Sequence, residues 1–144
     1  MNLATGDGEF NQMLRYDIGT GFKLGSVSAY TAGYAAFNNR TKDFSEEFRY
    51  GVEVGLGFAK ERIWLVGKFD AMDSFKNGFT AETQAITSTS IFANNSEFVN
   101  VGAEINIYLT KKFGVSAAFT EIITGEIIAA APSYSVGVFL DLSK

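Results

Sequence analysis

Two pairs of carboxylates are the first residues whose types and spacing suggest chemistry. Glu121 and Glu126 flank the sequence IITG, and Asp70 and Asp73 lie close together in the chain. Paired carboxylates can serve as general acid and base, or they can bind calcium. Neither pair lies in a calcium-loop pattern, and acidic residues in loops are usually only solvated. We therefore expect neither catalysis nor a metal site from these residues.

The composition removes most other catalytic designs. The 144 residues include no Cys and no His, so thiol nucleophiles, zinc–thiolate sites and the most common general base are missing. The glycine sequences GTG, at 19–21, and GLG, at 55–57, are too short for phosphate-binding loops. We expect a protein that is not an enzyme and that uses no cofactor and no metal.

A third set of residues contains both positive and negative charges and lies at alternate positions along the chain. In EEFRYGVEVGLGF, at 46–58, charged and glycine residues occupy one parity and apolar residues the other. Successive side chains of a strand point to opposite faces, so one face would be polar throughout. Inside a barrel these residues would line a pore or close it with ion pairs. The expected lumen-lining residues are Arg15, Asp17, Arg49, Glu53, Lys68, Asp70, Glu104 and Asn106.

The elements that must position this set are long strands. The alternation has a period of two, and repeated glycines argue against helices. Most segments exceed the usual strand length of about 5 or 6 residues and match the roughly 9 to 11 that cross a bilayer. The predicted strands are 13–24, 27–38, 46–58, 63–73, 97–109, 113–120 and 133–142.

The connectors between these strands alternate in length. Short turns lie at 25–26, around Lys60 and at 110–112, whereas 39–45, 74–96 and 125–132 are longer. In an antiparallel meander this places the short turns at one end and the long loops at the other, as in outer-membrane barrels. We therefore expect one domain over 1–144, with an extended N-terminal segment at 1–12 and a long external loop at 74–96.

Two kinds of barrel differ in whether the apolar side chains of each strand point into the barrel or out of it. A soluble ligand-binding barrel buries these side chains, whereas a membrane barrel turns them to lipid. Nearly charge-free apolar positions, aromatic residues near strand ends and a polar parity of mixed charge favour membrane lipid as the partner. The expected lipid-facing residues are Ile18, Val52, Val54, Leu65, Val101, Ile105 and Val138.

Two stretches carry a family resemblance. ATGDGEFNQMLRYDIGTGF, at 4–22, and FGVSAAFTEIITGEIIAAAPSYSVGVFLDL, at 113–142, resemble the C-terminal half of outer-membrane transporter-like barrels of Gram-negative bacteria. This superfamily includes the MetA-pathway phenol-degradation proteins and, more distantly, the FadL-like channels for hydrophobic molecules. The resemblance implies a barrel of about a dozen strands, insertion by the barrel-assembly machinery, and passage of small, often apolar compounds across the outer membrane.

The strand count raises a separate expectation. Single-chain bacterial barrels have even strand numbers and periplasmic ends, whereas seven strands ending in the periplasm would place 1–12 outside the cell. Together with the lack of a visible signal peptide, this predicts the C-terminal part of a larger barrel. An eighth strand at 78–92 is the alternative.

The expected function is passive passage or binding of small molecules by an outer-membrane β-barrel. A structural or adhesive barrel with a filled lumen and a soluble ligand-binding barrel are the alternatives. The net charge of −4 and the scattered basic residues give no reason to expect nucleic acid as a partner.

Overall fold

The computed structural model of the chain describes residues 10–79, 94–126, 128 and 131–142. These residues form one all-β sheet of seven strands, and each of the seven predicted segments is confirmed as a strand. The strands are β1 (Asn11–Leu24), β2 (Val27–Arg40), β3 (Glu47–Phe58), β4 (Ile63–Ser74), β5 (Glu97–Tyr108), β6 (Phe113–Glu126) and β7 (Ser133–Leu140).

The sheet is an antiparallel meander, as the sequence predicts. Every strand pairs with the next strand along the chain, in the order β1 to β7. Within the described ranges β1 and β7 do not pair with each other, so both are edge strands and the sheet is open. No helix in this part of the chain is long and apolar enough to span a membrane.

The turns alternate in length along the meander. Gly25 and Ser26 form the tight turn between β1 and β2, and Gly25 has a φ of 62°, which glycine adopts without strain. Two connectors of four residues each, 59–62 and 109–112, join β3 to β4 and β5 to β6. These three connectors lie at the same end of the strands, which we call the turn end. The opposite end of the strands is the loop end.

β6 is longer than predicted. It continues to Glu126, so Glu121 and Glu126 lie in a strand rather than in a loop. The register between β5 and β6 shifts between Val99 and Asn100, and pairing resumes beyond the shift. Such a bulge absorbs an extra residue and lets a strand continue. Glu121, opposite Val101 and of the same parity as Phe119, lies before the bulge and among apolar side chains that were expected to be nearly free of charge.

The register divides the predicted site residues between the two faces of the sheet. One face, called the polar face, carries all eight expected lumen-lining residues, from Arg15 on β1 to Asn106 on β5. The other, called the apolar face, carries all seven expected lipid-facing residues, from Ile18 on β1 to Val138 on β7. The two parities of the sequence therefore correspond to the two faces of the sheet.

Burial is concentrated on the polar face. Val66 and Met72 are 5% and 4% exposed there, and the carboxylate residue Glu47 is only 4% exposed. On the apolar face, Val54 and Leu65 are each 45% exposed. Two alanines on the apolar face are exceptions: Ala29, at 3%, and Ala71, at 0%. Val54 and Leu65 are thus exposed while Glu47 is buried, whereas in a soluble protein aliphatic side chains form the core and carboxylates lie at the surface.

Several predicted boundaries differ from the structure, and others lie outside the described residues. For example, β2 continues to Arg40 and β7 ends at Leu140. Asn11 and Gln12 belong to β1 rather than to an extended N-terminal segment, and Ser74 ends β4 rather than beginning a loop. Residues 1–9 lie outside the described residues. The same holds for 80–93, which includes most of the alternative eighth strand at 78–92.

Candidate functional site

The middle of the polar face holds a row of charged side chains. Arg15 pairs with Asp17 on the same strand at 2.7 Å, and its guanidinium lies 3.8 Å from the ring centre of Tyr34. Lys68 on β4 pairs with Glu104 on β5 at 2.6 Å. Each cation is therefore matched by a carboxylate close to it in the sheet, as the mixed charge of this parity predicts.

A tyrosine connects β2 to β4 across the strand between them. The hydroxyl of Tyr34 donates a hydrogen bond to Asp70, and its ring lies over Gly51 of β3. A Cβ atom built on Gly51 would lie 2.6 Å from a ring carbon of Tyr34. Glycine thus provides the space in which the ring crosses the strand, because any larger residue would displace it.

These groups surround a cavity of about 410 Å³ on the polar face. It brings together five of the eight predicted lumen-lining residues, together with Tyr34, which the sequence did not identify. Glu104 lies beside it through its pair with Lys68, and Asn106 donates a hydrogen bond to Glu104 at 2.7 Å. The five residues are Arg15, Asp17, Glu53, Lys68 and Asp70.

The eighth predicted residue, Arg49, belongs to a different cluster near the loop end. Glu47 accepts hydrogen bonds from Arg40 at 2.6 Å and from Arg49 at 3.1 Å. The side chains of Arg40 and Glu47 are each 6% exposed. Asn38 donates a further bond to Glu47 at 3.1 Å. Glu47 has the same parity as Arg49 in the sequence, so the alternation was the signal for this cluster.

The turn end of the polar face is aromatic. Tyr30 and Trp64 have ring centres 5.6 Å apart, and those of Tyr108 and Phe139 are 5.0 Å apart in an edge-to-face arrangement. Each pair joins next-but-one strands. We call these four residues the aromatic cluster. The sequence analysis did not single it out, because β2 carries alanine on both parities and so gives no clear face.

Glycines on the intervening strands make room for these rings. A Cβ atom on Gly55 would lie 2.0 Å from a ring carbon of Tyr30, and one on Gly114 would lie 2.3 Å from Phe139. Gly57 has the same relation to Trp64, at 2.9 Å. The sequence showed only that charged residues and glycines alternate with apolar residues along β3. In the structure, these glycines accommodate aromatic rings from the neighbouring strands.

Polar bonds also order the loop end. The backbone N–H of Ser45 donates to Asn94 at 2.8 Å, and its hydroxyl donates to Asn95. Lys76 bridges Glu97 and Glu126, at 3.3 Å and 3.0 Å. The hydrogen bond to Glu126, followed by that to Glu97, raises the pKa of Lys76 above its ordinary value. These contacts fasten the connector after β4 to the ends of β5 and β6.

The predicted carboxylate pairs are not assembled by the fold. Asp70 lies on the polar face and Asp73 on the apolar face, because three residues along a strand reverse the side. Glu126 lies opposite Glu97 and contacts Lys76, whereas Glu121 lies opposite Val101, five residues from Glu126. Among the described residues no group of three or more acidic side chains is placed to hold a metal ion.

Comparison with known proteins gives no relative. No protein-family model matches the sequence, and no curated protein or solved structure is significantly similar to it. The geometry of the two faces is therefore the basis for any functional assignment.

Proposed function

We propose that this sheet is part of the wall of a transmembrane β-barrel in a bacterial outer membrane. The barrel would allow small molecules, including apolar ones, to pass along its polar face or bind to it. The observation that carries the proposal is the inverted burial, in which Val54 and Leu65 are exposed while Glu47 and Asn38 are buried. A polar interior and a lipid-facing apolar exterior account for this distribution in a membrane barrel.

The lengths of the strands support the same assignment. Six of the seven strands have 12 to 14 residues, which exceeds the roughly 9 to 11 that a tilted strand needs to cross a bilayer. The grouping of the short turns at one end is also typical of outer-membrane barrels.

Glu121 and Glu126 are charged residues on the apolar face of β6, and Glu126 lies opposite Glu97 at the loop end. Glu121 is the one further from that end. It is five residues from the loop end of its strand, which ends at Glu126. The cost of a charge facing lipid falls towards the interfaces and is smaller for Asp and Glu than for Lys and Arg. Glu121 pairs with Val101 near the middle of both strands, so this proposal leaves one carboxylate among the lipid-facing side chains.

Closure of the barrel requires further strands. With seven strands in an antiparallel meander, β1 and β7 run in the same direction. An antiparallel barrel is therefore completed by an odd number of additional strands between β7 and β1, from this polypeptide or another. Long unpaired edges favour such pairing, because their free N–H and C=O groups are templates for a further strand.

Quenching by brominated lipids tests the direction of the two faces. Trp64 is the single tryptophan of the chain and lies on the polar face, next to Leu65 on the apolar face. In vesicles with brominated acyl chains, we expect Trp64 emission to be protected. In the variant Trp64→Phe/Leu65→Trp, we expect strong quenching.

Equal quenching of both chains would contradict the proposed orientation. A folded, monodisperse protein in buffer without detergent would instead support the soluble ligand-binding barrel.

A barrel with a filled lumen is the second candidate, and one observation favours it. Ion pairs and rings that lie over glycines occupy much of the polar face, and side chains can close the interior of a small barrel. Planar-bilayer recordings separate the two candidates. Steady ion current from the folded protein supports passage, whereas its absence supports a structural or adhesive role.

A further inference from the structure

We propose that the aromatic cluster at the turn end of the polar face binds a planar aromatic ring. This inference rests on the proposed function, since it assigns a ligand class and a binding position to the polar face of the barrel. It concerns a site separate from the charged cavity in the middle of the sheet. The residues that line it are Tyr30, Trp64, Val66, Asn106, Tyr108 and Phe139.

The two ring pairs lie on either side of a gap. Trp64 is directly opposite Asn106 in the pairing of β4 with β5, and Tyr108 is two residues further along β5. Tyr30 extends the first pair towards β2, and Phe139 extends the second towards β7. A ligand above Asn106 therefore has aromatic rings on both sides.

The size of the gap suits one or two rings. The cavity measures about 330 Å³, which is at the lower end of the roughly 300 to 1,000 Å³ typical of small-molecule sites. A dry cavity of about 150 Å³ is sufficient for benzene. A monocyclic or bicyclic aromatic molecule therefore fits, and a long acyl chain does not fit compactly.

The arrangement of the rings favours an aromatic ligand over an aliphatic one. Aromatic pairs prefer tilted or edge-to-face contacts, because the ring faces carry partial negative charge and the edges partial positive charge. The existing pairs have these geometries, with interplanar angles of 51° and 84°. A third ring placed between them can repeat the same contacts on both sides, whereas a saturated ring gains only from burial of its surface.

The rings are held in place independently of any ligand. The hydroxyl of Tyr108 donates to Asp141 at 3.1 Å. The rings of Tyr30 and Phe139 pack directly over the backbone at Gly55 and Gly114. A site whose walls are already ordered loses little side-chain entropy when a ligand binds.

Trp64 makes the site directly measurable. The full chain, folded in detergent micelles, is titrated with 4-bromobenzyl alcohol, because bromine quenches tryptophan emission near contact. We expect saturable quenching that benzyl alcohol relieves by competition. Cyclohexylmethanol at the same concentration should relieve it much less. Quenching that rises linearly without saturation, or equal competition by both alcohols, would overturn the proposal.

Variants test whether the second ring pair forms a wall of the site. Tyr108→Leu and Phe139→Leu should each raise the apparent Kd about three- to tenfold, which corresponds to the loss of one aromatic pair contact. Tyr108→Phe, which keeps the ring, should stay within about twofold. The matched control is Phe119→Leu on the apolar face, which should leave the Kd unchanged. A rise in the Kd for Phe119→Leu as large as that for Phe139→Leu would contradict the proposed binding site.

Bilayer recordings of the same preparations separate this inference from the proposed function. Saturable quenching without ion current would support the aromatic site and contradict an open pore. A protein that conducts but shows only linear quenching contradicts the aromatic site and leaves the barrel in place.

Discussion

The two faces of the sheet obey opposite rules. On the polar face, side chains of next-but-one strands meet, as Tyr34 and Asp70 do across β3. On the apolar face, Val52 and Val54 are about half exposed and have no strand-crossing polar contacts among the described residues. The polar face therefore holds most of the specific interactions, and the apolar face provides a surface that needs another phase or partner to cover it.

The difference locates where this fold is stabilised. A soluble sheet gains its stability by burying aliphatic side chains, whereas here the buried groups include a carboxylate, amides and glycines covered by aromatic rings. Substitutions on the two faces should consequently differ in kind. Those on the polar face should disturb particular contacts, and those on the apolar face should matter only through polarity.

The largest effect is expected at the buried ion cluster of the polar face. Glu47→Ala removes the buried carboxylate that the Arg40 side chain, itself 6% exposed, contacts at 2.6 Å. Removal of one member of a buried pair costs about 3–5 kcal/mol, and urea unfolding of the detergent-folded protein measures this loss. Asp17→Ala, which breaks the exposed pair with Arg15, is the control and should cost much less. Equal losses would mean that burial does not distinguish these pairs.

A charge on the apolar face should have the next largest effect. Val136→Arg, near the middle of β7, is expected to lower the free energy of folding in lipid by about 2–4 kcal/mol, the cost of a midplane arginine. Ser135→Arg inserts the same side chain on the adjacent residue and the opposite face. Refolding into vesicles, followed by gel mobility, compares the two. Normal assembly of Val136→Arg with failure of Ser135→Arg would invert the assignment of the faces.

Two glycines sharpen the comparison at smaller cost. Gly55→Ala places a Cβ atom 2.0 Å from Tyr30, whereas Gly67→Ala on the apolar face meets nothing within 4 Å. We expect Gly55→Ala to destabilise by about 1–3 kcal/mol through overpacking and to change the Trp64 emission spectrum. Gly67→Ala should be neutral or slightly stabilising. An unchanged spectrum in Gly55→Ala would show that Tyr30 does not lie over this glycine.

The smallest effect is expected at the exposed loop-end bridge. The pKa of Lys76 is raised, mainly by Glu126, so its contribution to stability persists below the ordinary lysine pKa and is lost as the pH rises through the raised value. In an NMR titration, Glu126→Gln should lower the Lys76 pKa towards its ordinary value. Glu97→Gln should lower it less, since Glu97 is the weaker cause. A greater shift in Glu97→Gln would reverse this order.

Much of the fold was available from the sequence because strand parity is a local property. The alternation of Arg49, Glu53 and Gly55 with Val52 and Val54 assigns each residue to a face without knowledge of its neighbours. Turn positions followed from the breaks in that alternation. The extension of β6 could not be predicted, because it depends on a register shift opposite Val99 that only pairing with β5 produces.

The candidate site was predictable only in part for the same reason. The charged members of the polar face were identified from parity alone, but their partners were not, since pairing depends on which strands lie next to each other. The ring of Tyr30 meets Trp64 across β3, and Tyr108 meets Phe139 across β6. Such contacts depend on the combined register of three strands.

The sequence by itself therefore determined the strands, their two faces and the chemical character of each face, because each follows from a period of two along the chain. The tertiary structure alone decided which polar groups are buried together and where the aromatic cluster forms. The physical reason is that side chains meet across strands at distances set by register, and at Gly51, Gly55 and Gly114 the absence of a side chain provides the necessary space.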